Sequence, residues 1–146
     1  MEEKHEDADL VEHCLVLVTA GRKRWLTGAI RSRCEESVRA VMREFGAKLD
    51  SVDGTTDCLI IRTLAPLGAA IDQMGEALKV RLNEYLYRSM ERKMNQLYEG
   101  ALCWSRAQIS FESFAIPERD VIAYVRLVSG GDESLAKNRF VSPVQW

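Results

Sequence analysis

One amphipathic segment, residues 27–45, constrains the fold of this chain more than any other. Its apolar side chains recur at three- and four-residue intervals, which is the spacing of one face of an α-helix. Thr27 can cap the start of that helix, and Gly46 stands just past its end. Residues 13–21, an apolar run rich in valine and leucine, precede it and predict a buried strand. The chain therefore opens with a strand and a helix whose apolar face must be covered.

The middle of the chain predicts a strand pair, a second long helix and one further strand. Candidate strands at residues 48–52 and 57–63 flank Asp-Gly-Thr-Thr, residues 53–56, which has the composition of a hairpin turn. Residues 68–93 carry apolar side chains at helical spacing. Residues 103–114 alternate apolar and polar side chains, as a half-exposed strand does.

A last helix is predicted after Pro117, and it stops at the pair Gly130-Gly131. The resulting order, β-α-β-β-α-β with an extra C-terminal helix, predicts the α+β class. We expect a ferredoxin-like (RRM-like) split βαβ antiparallel sheet with two helices on one face. This architecture hosts many functions, so its order of elements does not identify the chemistry.

The length of 146 residues, with 47% hydrophobic and 29% charged residues, suits one globular domain. We expect an acidic N-terminal tail at residues 1–12, the domain at residues 13–131 and a C-terminal tail at residues 132–146. No apolar run approaches the roughly 20 residues that span a membrane, and the acidic start is unlike a secretion signal. We therefore expect a cytoplasmic protein with no membrane partner.

The four cysteines are widely spaced and form no C-x-x-C motif, so we expect neither a zinc site nor a disulfide framework. They are Cys14, Cys34, Cys58 and Cys103. Buried free thiols are the simpler interpretation.

The net charge of −2 is unevenly distributed. Residues 1–12 carry −5, the remainder of the chain carries +3, and residues 20–49 alone carry +5. Two interpretations remain open for that basic segment: a solvated helix face, or a patch that faces the phosphates of a nucleic acid.

Four strings occur in the order seen in one family of enzymes. They are HCLVLVTAGRKRWLTGAI, ALKVRLNEYLYR, GALCWSRAQISFESF and VIAYVRLV, and together they span roughly residues 13–128. In this order they resemble the first strand and turn, the second helix, the tryptophan-containing fourth strand and the last helix of the single-tyrosine transposases of small insertion sequences. That family is the His-hydrophobic-His class of the IS-two-hundred type. Trp104 stands where the tryptophan of the fourth strand is expected.

The resemblance implies a nucleophile, a DNA-binding surface and a homodimer. Tyr124 would be the nucleophilic tyrosine, and the partner would be single-stranded or hairpin DNA. The candidate DNA-binding residues are Arg22, Lys23, Arg24, Lys79, Arg81 and Arg88, the last three on the outer side of the second helix. Trp25 or Tyr87 could stack on a base.

The chain departs from the family at the metal site. In the family, an Asp-His-hydrophobic-His strand and a polar residue four positions after the tyrosine hold Mg²⁺ or Mn²⁺. Here the ligand positions contain Cys58, Ile60 and Val128. Cys58 could bind a soft metal as a thiolate, but the other two have no donor atom, and Arg62 would repel a cation. We therefore predict no metal cofactor.

The only histidines, His5 and His13, do not form an evident replacement pair. Without an activating metal or base, the phenol of Tyr124 is a weak nucleophile, and the side chain could equally be a packing residue of an amphipathic helix.

Three functions follow. The first is a catalytically inactive, domesticated transposase that still binds DNA, and the second is a dimeric protein-interaction scaffold that binds none. The third is an active transposase with an atypical metal site.

Overall fold

The computed structural model describes residues 10–106, 109–113 and 116–129, with side chains described up to residue 127. The strands are β1 (Leu10–Val18), β2 (Lys48–Thr55), β3 (Cys58–Pro66) and β4 (Ile109–Phe111). The helices are α1 (Gly28–Glu44), α2 (Ile71–Ser89), α3 (Glu91–Tyr98) and α4 (Glu118–Ser129). The two expected tails lie outside these residues except for the segment 10–12.

The four strands form one antiparallel sheet in the order β2-β3-β1-β4. The two central strands, β1 and β3, pair over their whole length, from Leu10 opposite Pro66 to Val18 opposite Cys58. β1 and β2 run parallel on either side of β3, with α1 as their crossover, so the predicted ferredoxin-like split βαβ arrangement is confirmed.

Two apolar clusters cover the two faces of the sheet. Leu15 and Leu17 of β1 pack in one cluster with α1, α2 and α3, whereas Val16 and Val18 pack in the other with α4. This division follows from the strand itself, because successive side chains point to opposite faces. α4 therefore lies on the sheet face opposite α1 and α2, which we call the α4 face. The buried residues packed there form the α4 cluster: Cys14, Val16, Val18, Cys58, Ile60, Ile109, Phe111, Val121 and Val125.

The first helix matches its prediction at both ends. The Thr27 side chain accepts a hydrogen bond from the Ile30 amide at 3.3 Å, as an N-cap residue does. Gly46, just past the helix, has a φ of +71°, a conformation that favours glycine. The stripe of buried side chains is Ile30, Cys34, Val38, Val41 and Met42.

The predicted hairpin turn was wrong by two residues. Thr55 pairs with Cys58, so the loop consists of Thr56 and Asp57, and the predicted turn residue Gly54 lies inside β2 opposite Leu59. A Cβ at Gly54 would overlap the carbonyl oxygen of Cys58. The glycine is thus required by the close approach of two strands rather than by a turn.

Other element boundaries also differ from the predictions. β1 starts at Leu10, inside the expected acidic tail. The predicted long helix is broken at Met90, whose φ of −140° and ψ of 49° are not helical, so α2 and α3 are separate. Of the last predicted strand, residues 103–114, the described residues form β4 and an isolated bridge between Thr19 and Trp104. Ala107, residue 108 and residue 114 lie outside the described residues.

None of the helices in the described part of the chain is long and apolar enough to cross a membrane.

Replacing Gly54 with alanine should cost about 3 kcal/mol or more in the free energy of unfolding, because a positive φ and a steric overlap act together. Gly68→Ala is the control, since Gly68 has a φ of +86° but no atom within 4 Å of an added Cβ, and it should cost about 1 kcal/mol. Urea denaturation measures both, and equal losses would contradict the role assigned to the overlap.

Candidate nucleic-acid interface and the α4 face

A basic turn, Arg22–Arg24, connects β1 to α1. It follows a single 3-10 turn, Ala20–Arg22, in which Gly21 and Arg22 have φ values of 66° and 54°. The Thr19 hydroxyl donates a hydrogen bond to the Lys23 carbonyl at 2.8 Å. A left-handed arginine is unusual, so the conformation of this turn must be held by its surroundings.

Asp57 holds the turn on the hairpin side. Its carbonyl accepts a hydrogen bond from the Thr19 amide at 3.0 Å, and its carboxylate lies 3.4 Å from Arg22 Nε. The Thr55 hydroxyl donates to the second carboxylate oxygen at 2.7 Å. Asp57 is only 5% exposed. Its ion pair with Arg22 partly neutralises the arginine and links the turn to the β2–β3 loop.

Lys23 holds the turn on the α3 side. Its ammonium donates a hydrogen bond to the Leu97 carbonyl at 2.7 Å and lies 5.0 Å from the centre of the Tyr98 ring. A cation near the last carbonyls of a helix is favoured by the partial negative charge there. The ammonium of Lys23 therefore binds this protein's own helix, although the residue remains exposed.

The Tyr98 phenol connects both sides of the turn. Its oxygen accepts a hydrogen bond from Trp25 Nε1 at 2.7 Å and donates one to the Ala20 carbonyl at 2.8 Å. Burial raises the pKa of this phenol to about 12, so the hydroxyl keeps its proton at neutral pH. The rings of Trp25 and Trp104 lie 5.7 Å apart, centre to centre.

The predicted stacking residue Trp25 is therefore in the core, only 3% exposed. It cannot receive a base without unfolding the turn. The alternative, Tyr87, is half-buried and donates its hydroxyl hydrogen to the Ala101 carbonyl at 2.7 Å.

Arg24 differs from its two neighbours. It is exposed and makes no hydrogen bond or ion pair with the residues that the structure describes. Its guanidinium is consequently the cation of the turn most available to an external anion.

The three basic residues predicted on α2 have different environments. Lys79 was predicted on the outer side of the helix, and this was wrong: it is only 2% exposed, and its ammonium donates to the Arg106 carbonyl at 3.3 Å. It belongs to the buried stripe with Gly75 and Leu82. Arg81 is exposed and forms an ion pair with Glu44 of α1. Arg88 is exposed near the end of α2.

The structure brings the predicted catalytic positions together on the α4 face. Cys58 and Ile60 lie in the α4 cluster, 1% and 0% exposed, beside Val121 and Val125, and Tyr124 packs against the same cluster. The Tyr124 ring meets Phe111 edge to face, with centres 5.7 Å apart. Val128 lies one turn after Tyr124 on α4, and its side chain is outside the described part.

Cys58 is poorly suited to bind a metal. Burial raises the pKa of its thiol, which disfavours the thiolate that a metal needs. The sulfur lies 3.3 Å from the Thr55 hydroxyl. Arg62, two positions beyond Ile60 on the same strand, is 14% exposed in its side chain and pairs with Asp53 at 3.4 Å.

The other cysteines have similar surroundings. Burial raises the pKa of the Cys14 and Cys34 thiols to about 11 and that of Cys103 to about 12. All four are buried and free. Over residues 10–106, 109–113 and 116–129, no group of three His, Cys, Asp or Glu side chains is arranged to hold a metal. His13 is buried in β1, and His5 is not among these residues.

Sequence reasoning missed Asp57 and Tyr98 as the residues that fix the basic turn. In the sequence, Asp57 matches only the aspartate of the Asp-His-hydrophobic-His strand of the family that the chain resembles, which indicates no contact with the turn. Tyr98 lies 73 residues from Trp25 along the chain, and no local pattern indicates that contact.

Comparison with known proteins supports the fold. No family profile matches the sequence, and no curated protein matches it. Among solved structures, the chain is similar to a protein from Deinococcus radiodurans R1 named a "putative transposase". The TM-score is 0.66 at 15% identity, over 83% of this chain and 90% of that one. The chain therefore has a transposase-like fold.

Replacing Tyr98 with phenylalanine should lower the free energy of unfolding by about 1–3 kcal/mol, because Trp25 Nε1 and the Ala20 carbonyl lose their partner. Tyr87→Phe is the control: it also removes one hydroxyl, but its bond to Ala101 is exposed, so the loss should be below about 1 kcal/mol. Denaturant unfolding followed by tryptophan fluorescence measures both. If the variants are equally stable, Tyr98 does not fix the turn.

Proposed function

We propose that this chain is a transposase-like protein that binds nucleic acid through the basic turn and does not cut it. The observation that carries the proposal is the fixed conformation of the turn. Asp57 and Tyr98 hold it from two sides, and Arg24 remains exposed without a partner among the described residues. Because the backbone that carries Arg24 is already held in place, binding an anion there costs little backbone entropy.

The surroundings of the turn favour contact with phosphates over contact with bases. Single-strand binding proteins stack bases on open aromatic rings. Near the turn, Trp25 and Trp104 are 3% and 1% exposed, and the Tyr98 ring is covered by Lys23. A base-paired hairpin stem, whose phosphates are accessible while its bases stay stacked, suits this surface better than an unpaired strand.

The absence of cutting rests on the α4 face. A metal at Cys58 and Ile60 would have to replace packed apolar atoms, and burial raises the pKa of the Cys58 thiol, which disfavours the thiolate. Burying an ion without ligands is strongly unfavourable. Tyr124 packs at this face next to Phe111. We assign it a packing role in this chain, at the position where the family that the chain resembles has its nucleophilic tyrosine.

The homodimer implied by the resemblance is part of the proposal. If the purified protein binds no nucleic acid at low salt, the remaining function is that of a dimeric protein-interaction scaffold. Sedimentation analysis determines the oligomeric state independently of binding.

Replacing Arg24 with alanine should weaken binding to a fluorescein-labelled DNA hairpin by about tenfold and lower the salt slope of the affinity by about 1, as for the loss of one phosphate contact. Fluorescence anisotropy over a salt titration measures both. Arg43→Ala is the matched control, because Arg43 is exposed at the other end of α1, about 20 Å along the helix axis. Equal effects of the two substitutions would contradict the assignment.

Incubating the protein with labelled single-stranded or hairpin DNA and either Mg²⁺ or Mn²⁺ should yield no covalent protein–DNA adduct, since the described residues of the α4 face include no group of three side chains arranged to hold a metal. Denaturing gel electrophoresis detects such an adduct. An adduct that forms with the native chain and disappears in Tyr124→Phe would show an active transposase with an atypical metal site.

A further inference from the structure

The short helix α3 is joined to the basic turn by direct contacts. Lys23 donates to the Leu97 carbonyl in the last turn of α3, and the following residue, Tyr98, bonds to Ala20 and Trp25. Met94 anchors the inner side of α3 in the core, 0% exposed. The helix and the turn are therefore held in a fixed relative position.

Helical geometry places a second cation near Lys23. Lys93 precedes Leu97 by four residues, so both lie on the same side of α3, separated by about 6 Å along its axis. Lys93 and its neighbour Arg92 are exposed and form no ion pair with a described residue. Arg88 is exposed shortly before the break between α2 and α3.

Two acidic residues flank α3, one at each end. Glu91 lies in the first turn of α3, where the helix dipole favours a negative charge. Glu99 follows the helix at its other end, in a left-handed conformation. Between them, α3 presents two cations and no acid.

We infer that the outer side of α3 extends the basic turn into one phosphate-binding surface, with Arg92 and Lys93 contacting the backbone of the same nucleic acid that Arg24 contacts. The inference rests on the proposed function and adds a second element to the interface. Tyr98 is the positioning residue that keeps the two elements in register. With the two cations of α3, the surface contacts a longer stretch of the nucleic-acid backbone than the three-residue turn alone can reach.

The test compares two double variants of the full chain with the same loss of charge. Arg92→Ala with Lys93→Ala should weaken binding to the labelled DNA hairpin by about tenfold or more and lower the salt slope by about 2. Arg39→Ala with Arg43→Ala, both exposed on α1, should change affinity by less than about twofold and leave the slope unchanged. Circular dichroism melting verifies that each variant is folded.

The outcomes separate this inference from the proposed function. If Arg24→Ala weakens binding but the α3 variant behaves like the α1 variant, the basic turn binds nucleic acid and α3 does not. If both double variants weaken binding equally, net charge alone accounts for the effect and the α3 surface is refuted. If the native chain does not bind the hairpin at low salt, the inference and the proposed function both fail.

Discussion

The pairing of β1 with β3 is the constraint on which the other parts of this structure depend. Both strands have buried side chains on both faces, so the sheet must be covered on both sides. α1 and α2 cover one face and α4 covers the other. The same pairing brings the end of β1 to the β2–β3 loop, where Thr19 meets Asp57. The β1–β3 pairing thus determines both the packing of the core and the position of the basic turn.

Because α4 must cover an apolar face, the positions of Cys58, Ile60 and Tyr124 affect the stability of the fold. Ile60 and Val121 contribute apolar area that a metal-binding histidine could not supply at the same site. The apolar side chains that leave these positions without a metal donor are therefore the ones that pack the sheet against α4. The ring of Tyr124 contributes to the same packing through its contact with Phe111.

Periodicity predicted much of this fold, and tertiary contacts explain what it missed. α1 was predicted well at both ends, and α4 at its start, because their apolar faces and these end signals are local. The break at Met90 was missed because the apolar stripe continues through it, from Leu86 to Met94. In the candidate site, Arg24 could be predicted, but burial of Lys79 and Trp25 could not, since long polar and aromatic side chains are compatible with either environment.

The contacts of Asp57 determine which substitutions in β3 leave the basic turn unchanged. It directly precedes Cys58 of the α4 cluster, yet its hydrogen bonds and ion pair among the described residues are with Thr19, Thr55 and Arg22. The aspartate therefore fixes the conformation of the basic turn, whereas the next positions of β3, Cys58 and Ile60, contribute to the packing under α4. A substitution at Cys58 or Ile60 therefore changes the packing under α4 while the contacts that Asp57 makes with the basic turn stay in place.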